Sequence, residues 1–166
     1  MIDILYNLVV KAYKLLIPIV SSFSLKVKLR EKSWETVLES AKLKITDAND
    51  KKKIWIHSAS MGEFEQAKPI IEKIKSLFPD YFIVCSFFSP SGYENQKNYQ
   101  YLDVALYLPI DEYRNVKYFL DTLQPHIALF VRYEIWLNYL KELKKRGIPV
   151  FLVNATAPSS FVGRNN

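Results

Sequence analysis

Five short apolar runs recur between residues 54 and 153: Ile54–His57, Phe82–Phe87, Val104–Leu108, Ile127–Val131 and Val150–Val153. Polar or turn-forming residues close each run. Unbroken apolar runs of this length suit strands covered on both faces, which is how parallel sheets use their strands. Helix-forming stretches lie between them, over about 64–77, 92–100, 112–123 and 134–146. Strand and helix in alternation predict an α/β fold, a doubly wound parallel sheet with right-handed crossovers and helices on both faces. Phe78-Pro79-Asp80, Gln124-Pro125-His126 and Gly147-Ile148-Pro149 place Pro or Gly where a helix must stop before the next strand. Asp111, after Leu108-Pro109-Ile110, is placed to cap the third helix, and Thr46–Lys53 reads as a polar linker ahead of the sheet.

The chain has 166 residues, 49% of them hydrophobic, which is one-domain length with enough apolar material for a core. The single cysteine, Cys85, excludes an internal disulfide and falls inside an apolar run, as a core thiol does. His57 and His126 are far apart and unaccompanied, so no metal-ligand spacing exists and no metal is expected. The formal charge of +6 is uneven: residues 1–53 hold 11 Lys and Arg against 6 Asp and Glu, whereas residues 54–166 hold 12 against 11. The basic excess therefore belongs to a segment that is also strongly apolar. That pairing points to an anionic membrane surface ahead of nucleic acid, which is not expected as a partner.

In that segment Ile2, Leu5, Leu8, Val9, Ala12, Tyr13, Leu15, Leu16, Ile19, Val20 and Phe23 recur at helical spacing, interrupted by Asp3, Asn7, Lys11 and Lys14. Two lysines and Pro18 argue against a spanning helix, and neither the charge order nor the cleavage site of a signal peptide is clear. Residues 1–45 are read as an amphipathic membrane-associating helix with Lys26, Lys28, Arg30 and Lys32 behind it, near lipid head groups. A helix packed on the domain with solvated lysines is the other reading.

Several strand-to-helix turns are polar. Ser60-Met61-Gly62-Glu63 follows the first strand, and a carboxylate there can take a proton while helix N–H groups hold an anion. Ser60 and Glu63 also fit a capping box, so cap and base both stand. In Ser89-Pro90-Ser91-Gly92-Tyr93-Glu94 the box spacing recurs at Ser91 and Glu94, and Gly92 allows a close backbone approach. Neither a dinucleotide fingerprint nor a Walker lysine is present. After the fourth strand come Arg132-Tyr133-Glu134-Ile135-Trp136-Leu137-Asn138, where the arginine and glutamate are either a solvated pair or ligand contacts. Trp136 reads as packing, Asn138 as a bond to backbone or substrate, and His57 as a core or a catalytic histidine.

Taken in register, His57-Ser58-Ala59-Ser60-Met61-Gly62-Glu63, Ser89-Pro90-Ser91-Gly92-Tyr93-Glu94, Leu108-Pro109-Ile110-Asp111, Tyr133-Glu134-Ile135-Trp136, Gly147-Ile148-Pro149-Val150 and Leu152-Val153-Asn154 resemble the amino-terminal half of the 3-deoxy-D-manno-octulosonic acid (Kdo) transferases. The resemblance covers nearly the whole chain. It implies a Rossmann-like acceptor-binding domain over 54–155, one half of a metal-independent, membrane-associated GT-B glycosyltransferase. The implied reaction passes Kdo from CMP-Kdo to a lipid A precursor at the cytoplasmic face of the inner membrane, in lipopolysaccharide inner-core synthesis. It further implies that Glu63 is the general base and that Glu134 supports the acceptor site; Ser60, Gly62, Ser91, Gly92 and Arg132, from the polar turns, are read as acceptor contacts beside them. Arg132 stands where many members carry a glutamate, Leu137 where they carry proline, and no arginine follows Ala155. With the chain ending at Asn166, a disordered end over 156–166, an absent donor domain and an inactive fragment are expected. A non-enzymatic binding module at the membrane, or a GT-B enzyme using another nucleotide sugar, are the alternatives.

Overall fold

A computed structural model describes residues 2–132 and 135–155, leaving aside the side chains of 2, 18–23, 25, 26 and 28–33. Its elements run α1 (Ile2–Phe23), α2 (Leu25–Asp47), β1 (Lys53–His57), α3 (Met61–Leu77), β2 (Phe82–Phe87), α4 (Pro90–Gln96), β3 (Val104–Tyr107), α5 (Tyr113–Leu123), β4 (Ile127–Val131), α6 (Leu137–Lys145) and β5 (Val150–Val153). All four strand pairings are parallel, in the order β3-β2-β1-β4-β5. The α/β sheet expected from the alternation is therefore present, doubly wound outward from β1 and β4.

Every residue of β1 and of β2 is buried, because both sheet faces are covered. Successive side chains alternate between the faces. Trp55 faces the layer built by Trp34, Leu38 and Ile45 of α2, Phe119 and Leu120 of α5, and Tyr139 and Leu143 of α6. Ile54 and Ile56 face Phe64, Ala67 and Ile71 of α3. Trp55 anchors its layer, with ring centroids 5.2 Å from Phe130, 5.3 Å from Phe119 and 5.6 Å from Tyr139.

Three expectations are revised. The stretch read as a polar linker is shorter than expected: Thr46 and Asp47 end α2, Lys53 starts β1, and the connection is the turn over 48–52, with Ala48 and Lys53 buried. The second interstrand helix runs from Pro90 to Gln96, so Ser91 lies inside it and its spacing to Glu94 makes no capping box. Glu94 instead pairs with Lys97 at 2.6 Å. Asp111 does not cap α5, whose N-cap is Glu112; it caps α6, from across the fold.

α1 is amphipathic in an inverted sense. Its polar side bonds the body: Tyr6 Oη donates to Asp111 Oδ2 at 2.5 Å, Asn138 Nδ2 donates to Asn7 Oδ1 at 2.9 Å, Asp3 pairs with Lys141, and Lys14 pairs with Glu112. Ile17 is buried on that same side. Ile4, Leu5, Leu8, Val9, Leu15 and Leu16, on the opposite arc, are 52–77% exposed. Among the described residues no helix is long and apolar enough to cross a membrane. The two edges of the sheet also differ: β3 is largely buried, whereas Val150, Phe151 and Leu152 of β5 are exposed.

Candidate functional site

β1 leads to β2 on one side of the sheet, and β4 lies against β1 on the other. The crevice outside the carboxyl ends of β1 and β4 is thus the topological switch point, where doubly wound sheets bind ligands. Ser58 through Glu63 leave β1 at that point, and Arg132 leaves β4 beside them.

Ser60 and Glu63 form a full capping box on α3. The Glu63 N–H donates to Ser60 Oγ at 3.4 Å, and the Ser60 N–H donates to Glu63 Oε2 at 3.2 Å. The box occupies Oε2 only, and it holds the half-buried carboxylate at the head of the helix. Cap and base are therefore compatible in one side chain. Gly62 is helical, and a Cβ built there meets nothing within 4 Å. Gly92 differs: its Cβ would lie 2.9 Å from Phe87 Cδ1, 3.2 Å from Met61 N and 3.3 Å from Ser60 C. The bare backbone of α4 thus packs directly on the Ser60 turn. Gly92→Ala is expected to lower stability by about 1–3 kcal/mol through this overpacking, which urea unfolding measures. Gly62→Ala is expected to leave the unfolding midpoint unchanged or slightly raised. Ser91 is exposed and shares a 2.8 Å hydroxyl contact with Ser89.

His57 ends β1 fully buried. Its Nε2 accepts from Trp136 Nε1 at 3.2 Å, so in this arrangement the ring proton sits on Nδ1. Nδ1 lies 3.1 Å from Ser86 O and 2.9 Å from Ser86 Oγ, and Ser86 Oγ also accepts from Trp55 Nε1 at 2.8 Å. Trp136, expected only to pack, is thereby bonded across the switch point. Ser58 Oγ, one residue on, is the buried side-chain polar atom left without a hydrogen bond among the described residues. Cys85 is a core thiol, which burial pushes far up from its ordinary pKa.

Arg132 is exposed and adopts φ 64°, the left-handed region. An arginine there carries backbone strain of order 1 kcal/mol, and such strain gathers at functional sites. Arg132→Gly is expected to raise stability by about 0.5–1 kcal/mol, readable in urea unfolding. Glu134, and with it residues 156–166, lie outside the described residues.

Asp111 is the group that reasoning from sequence placed on the wrong helix. Fully buried, it accepts from the Asn138 N–H at 3.0 Å through Oδ2 and from the Tyr139 N–H at 3.1 Å through Oδ1. Asn138 Nδ2 returns a bond to the Asp111 carbonyl at 2.5 Å, so Asn138 is committed to the protein. Burial raises the Asp111 pKa, against the opposing pull of the bonds from Tyr6, Asn138 and Tyr139. No cluster of three His, Cys, Asp or Glu side chains able to hold a metal stands among the described residues.

A doubly wound parallel sheet with a carboxylate in the strand-to-helix turn at its switch point defines a Rossmann-like ligand-binding half, consistent with the amino-terminal half of a GT-B fold. A family model described as 3-deoxy-D-manno-octulosonic-acid transferase (kdotransferase) matches residues 32–163, and the chain belongs to that glycosyltransferase family. The 3-deoxy-D-manno-octulosonic acid transferase of Chlamydia muridarum is 32% identical over 103 residues, 61% of this chain and 24% of that protein. Its counterpart in Aquifex aeolicus is 32% identical over 115 residues, 69% of this chain and 31% of the relative. A bifunctional glycosyltransferase/methyltransferase of Fusobacterium nucleatum is 25% identical over 130 residues, 76% of this chain and 20% of the relative. The chain spans between a fifth and a third of the length of these relatives.

Proposed function

We propose that this chain is the acceptor-binding half of a Kdo transferase, which moves Kdo from CMP-Kdo to a hydroxyl of a lipid A precursor at the cytoplasmic face of the inner membrane. One observation carries the reading: in a chain of this family, Glu63 stands in the first turn of α3 at the switch point with one carboxylate oxygen outside its capping box. In the proposed step, the Glu63 carboxylate takes the proton of the acceptor hydroxyl as that oxygen bonds the anomeric carbon of Kdo. The bond from that carbon to the CMP phosphate oxygen breaks, and CMP leaves with the electron pair. No bound metal enters the step, and CMP-Kdo is a co-substrate. Ser60, Gly62, Ser91, Gly92, Arg132 and Glu134 are assigned to the acceptor.

The outward apolar arc of α1 and the basic amino-terminal segment supply what a phosphorylated lipid requires of its receptor: an apolar approach and positive charge. The step also needs a donor held opposite Glu63, so the chain alone is expected to be inactive. Purified chain should float with phosphatidylcholine vesicles containing the lipid A precursor, more than with phosphatidylglycerol vesicles of equal charge. It should show no transfer from CMP-Kdo until joined to a donor domain. Turnover by the chain alone, or indifference to the precursor, overturns the reading.

The capping box favours a second reading, a membrane-surface binding module in which Glu63 only holds α3. Substitution at Glu63 separates the two.

A further inference from the structure

Among the described residues, the polar contacts of α1 with the body are not spread along it. Tyr6 and Asn7 reach one cluster, the Asp111 carboxylate and the Asn138 amide, and that cluster holds the amino end of α6. The residue at that end is Trp136, the N-cap of α6, whose side chain makes no cap of its own. Trp136 is the side chain that bonds His57 at the head of β1. A connected path therefore runs from α1 to the switch point: hydrogen bonds join Tyr6 and Asn7 to Asp111 and Asn138, the backbone of the first turn of α6 links these to Trp136, and Trp136 bonds His57.

Three features make the series more than a scaffold contact. Asp111 is fully buried and accepts from Tyr6 and from two helix N–H groups at once, so removing one donor alters how it holds the others. α6 is short and lacks a local side-chain cap, so its amino end depends on this distant carboxylate. And α1 turns its apolar arc away from the body, so whatever covers that arc acts on the helix that holds the cluster.

We propose that Tyr6 and Asn7 are positioning residues: through Asp111 and Asn138 they set the amino end of α6 and seat Trp136 against His57, so that engagement of α1 by a lipid surface is coupled to the geometry of the switch-point site. The catalytic meaning of this coupling rests on the transferase reading; its existence does not. Phospholipid is the partner committed to, because the exposed arc is aliphatic and residues 1–53, which include it, hold 11 Lys and Arg against 6 Asp and Glu.

The test uses the whole chain. Tyr6→Phe with Asn7→Ala deletes the two bonds and leaves every residue of the sheet in place. The expected result is a shifted Trp136 indole N–H resonance and at least tenfold faster hydrogen exchange at the Asn138 and Tyr139 amides. Val84 and Leu106, in β2 and β3, should exchange as in the parent. Parent-like exchange at Asn138 and Tyr139 with an unmoved Trp136 resonance overturns the proposal. In a second arm, phosphatidylcholine–phosphatidylglycerol vesicles should change exchange at the α6 amino end in the parent and not in the double variant. Vesicle binding that leaves α6 unchanged in the parent overturns the coupling to lipid. Failure of the parent to bind any vesicle overturns that coupling and the membrane reading together. Binding without preference for the lipid A precursor overturns only the acceptor assignment.

Discussion

Glu63→Gln, in the chain joined to a donor domain, is expected to lower Kdo transfer by about 100- to 10,000-fold, the range general-base catalysis supplies, with the urea unfolding midpoint unchanged. The split arises from the two duties of the side chain. A glutamine keeps an oxygen to accept the Ser60 N–H, the bond that Oε2 makes at 3.2 Å, and glutamine is itself a capping-box residue. It cannot take a proton from a hydroxyl at neutral pH. Glu63→Ala removes both duties, and is expected to cost about 0.5–2 kcal/mol of stability in addition. Transfer that survives in Glu63→Gln leaves Glu63 a cap and favours the binding-module reading. Transfer lost in step with the folded fraction points the same way. Only loss in a protein as stable as its parent identifies the base.

Features that depend on neighbours in sequence were legible, and features that depend on distant partners were not. The strands announce themselves by unbroken apolar runs, which the central β1 and β2 carry because both their faces are buried and which the edge strand β5 keeps although it is exposed. The Ser60–Glu63 box is equally local, since both bonds close within three residues. The helix α2 was harder: Trp34, Leu38, Ala41 and Ile45 keep helical spacing, but lysines and glutamates between them read as a basic segment. Asp111 sits where a cap for α5 would sit. Nothing local shows that its carboxylate turns to N–H groups 27 and 28 residues away, and the bond from Trp136 to His57 spans 79. Such bonds are products of the completed sheet, which brings β1, β4 and the α6 amino end together. The candidate site follows the same division: the Ser60–Glu63 box closes within its own turn, whereas the contacts that seat Trp136 against His57 appear only in the fold.

Asp111→Ala is expected to destabilise the chain by about 3 kcal/mol, because it strands three donors at once and a single buried unpaired donor costs about 1–3 kcal/mol. Those donors are the Tyr6 hydroxyl and the Asn138 and Tyr139 N–H groups. Against a total stability of about 5–15 kcal/mol for a domain, that shift is plain in a urea curve, and the amino end of α6 should lose exchange protection first. Asp111→Asn exposes the electrostatic part. Burial raises the Asp111 pKa in the folded state, so the folded chain holds that proton more tightly than the unfolded chain does. Where the unfolded carboxyl has already ionised and the folded one has not, unfolding releases a proton, and stability from this group falls as pH rises. Its contribution is therefore greatest below the ordinary carboxylate range and is lost as pH climbs through the raised folded value. Asparagine has no such titration. The stability of the parent relative to Asp111→Asn should accordingly decline from pH 4 upward and level off once Asp111 is ionised in both states. A difference that stays constant with pH would mean that the bonds from Tyr6, Asn138 and Tyr139 balance burial, and one that grows with pH that they outweigh it. Where it grows, the carboxylate at the amino end of α6 is held in its charged form by its three donors, and the cluster binds α1 more tightly than a buried acid set against its own desolvation would.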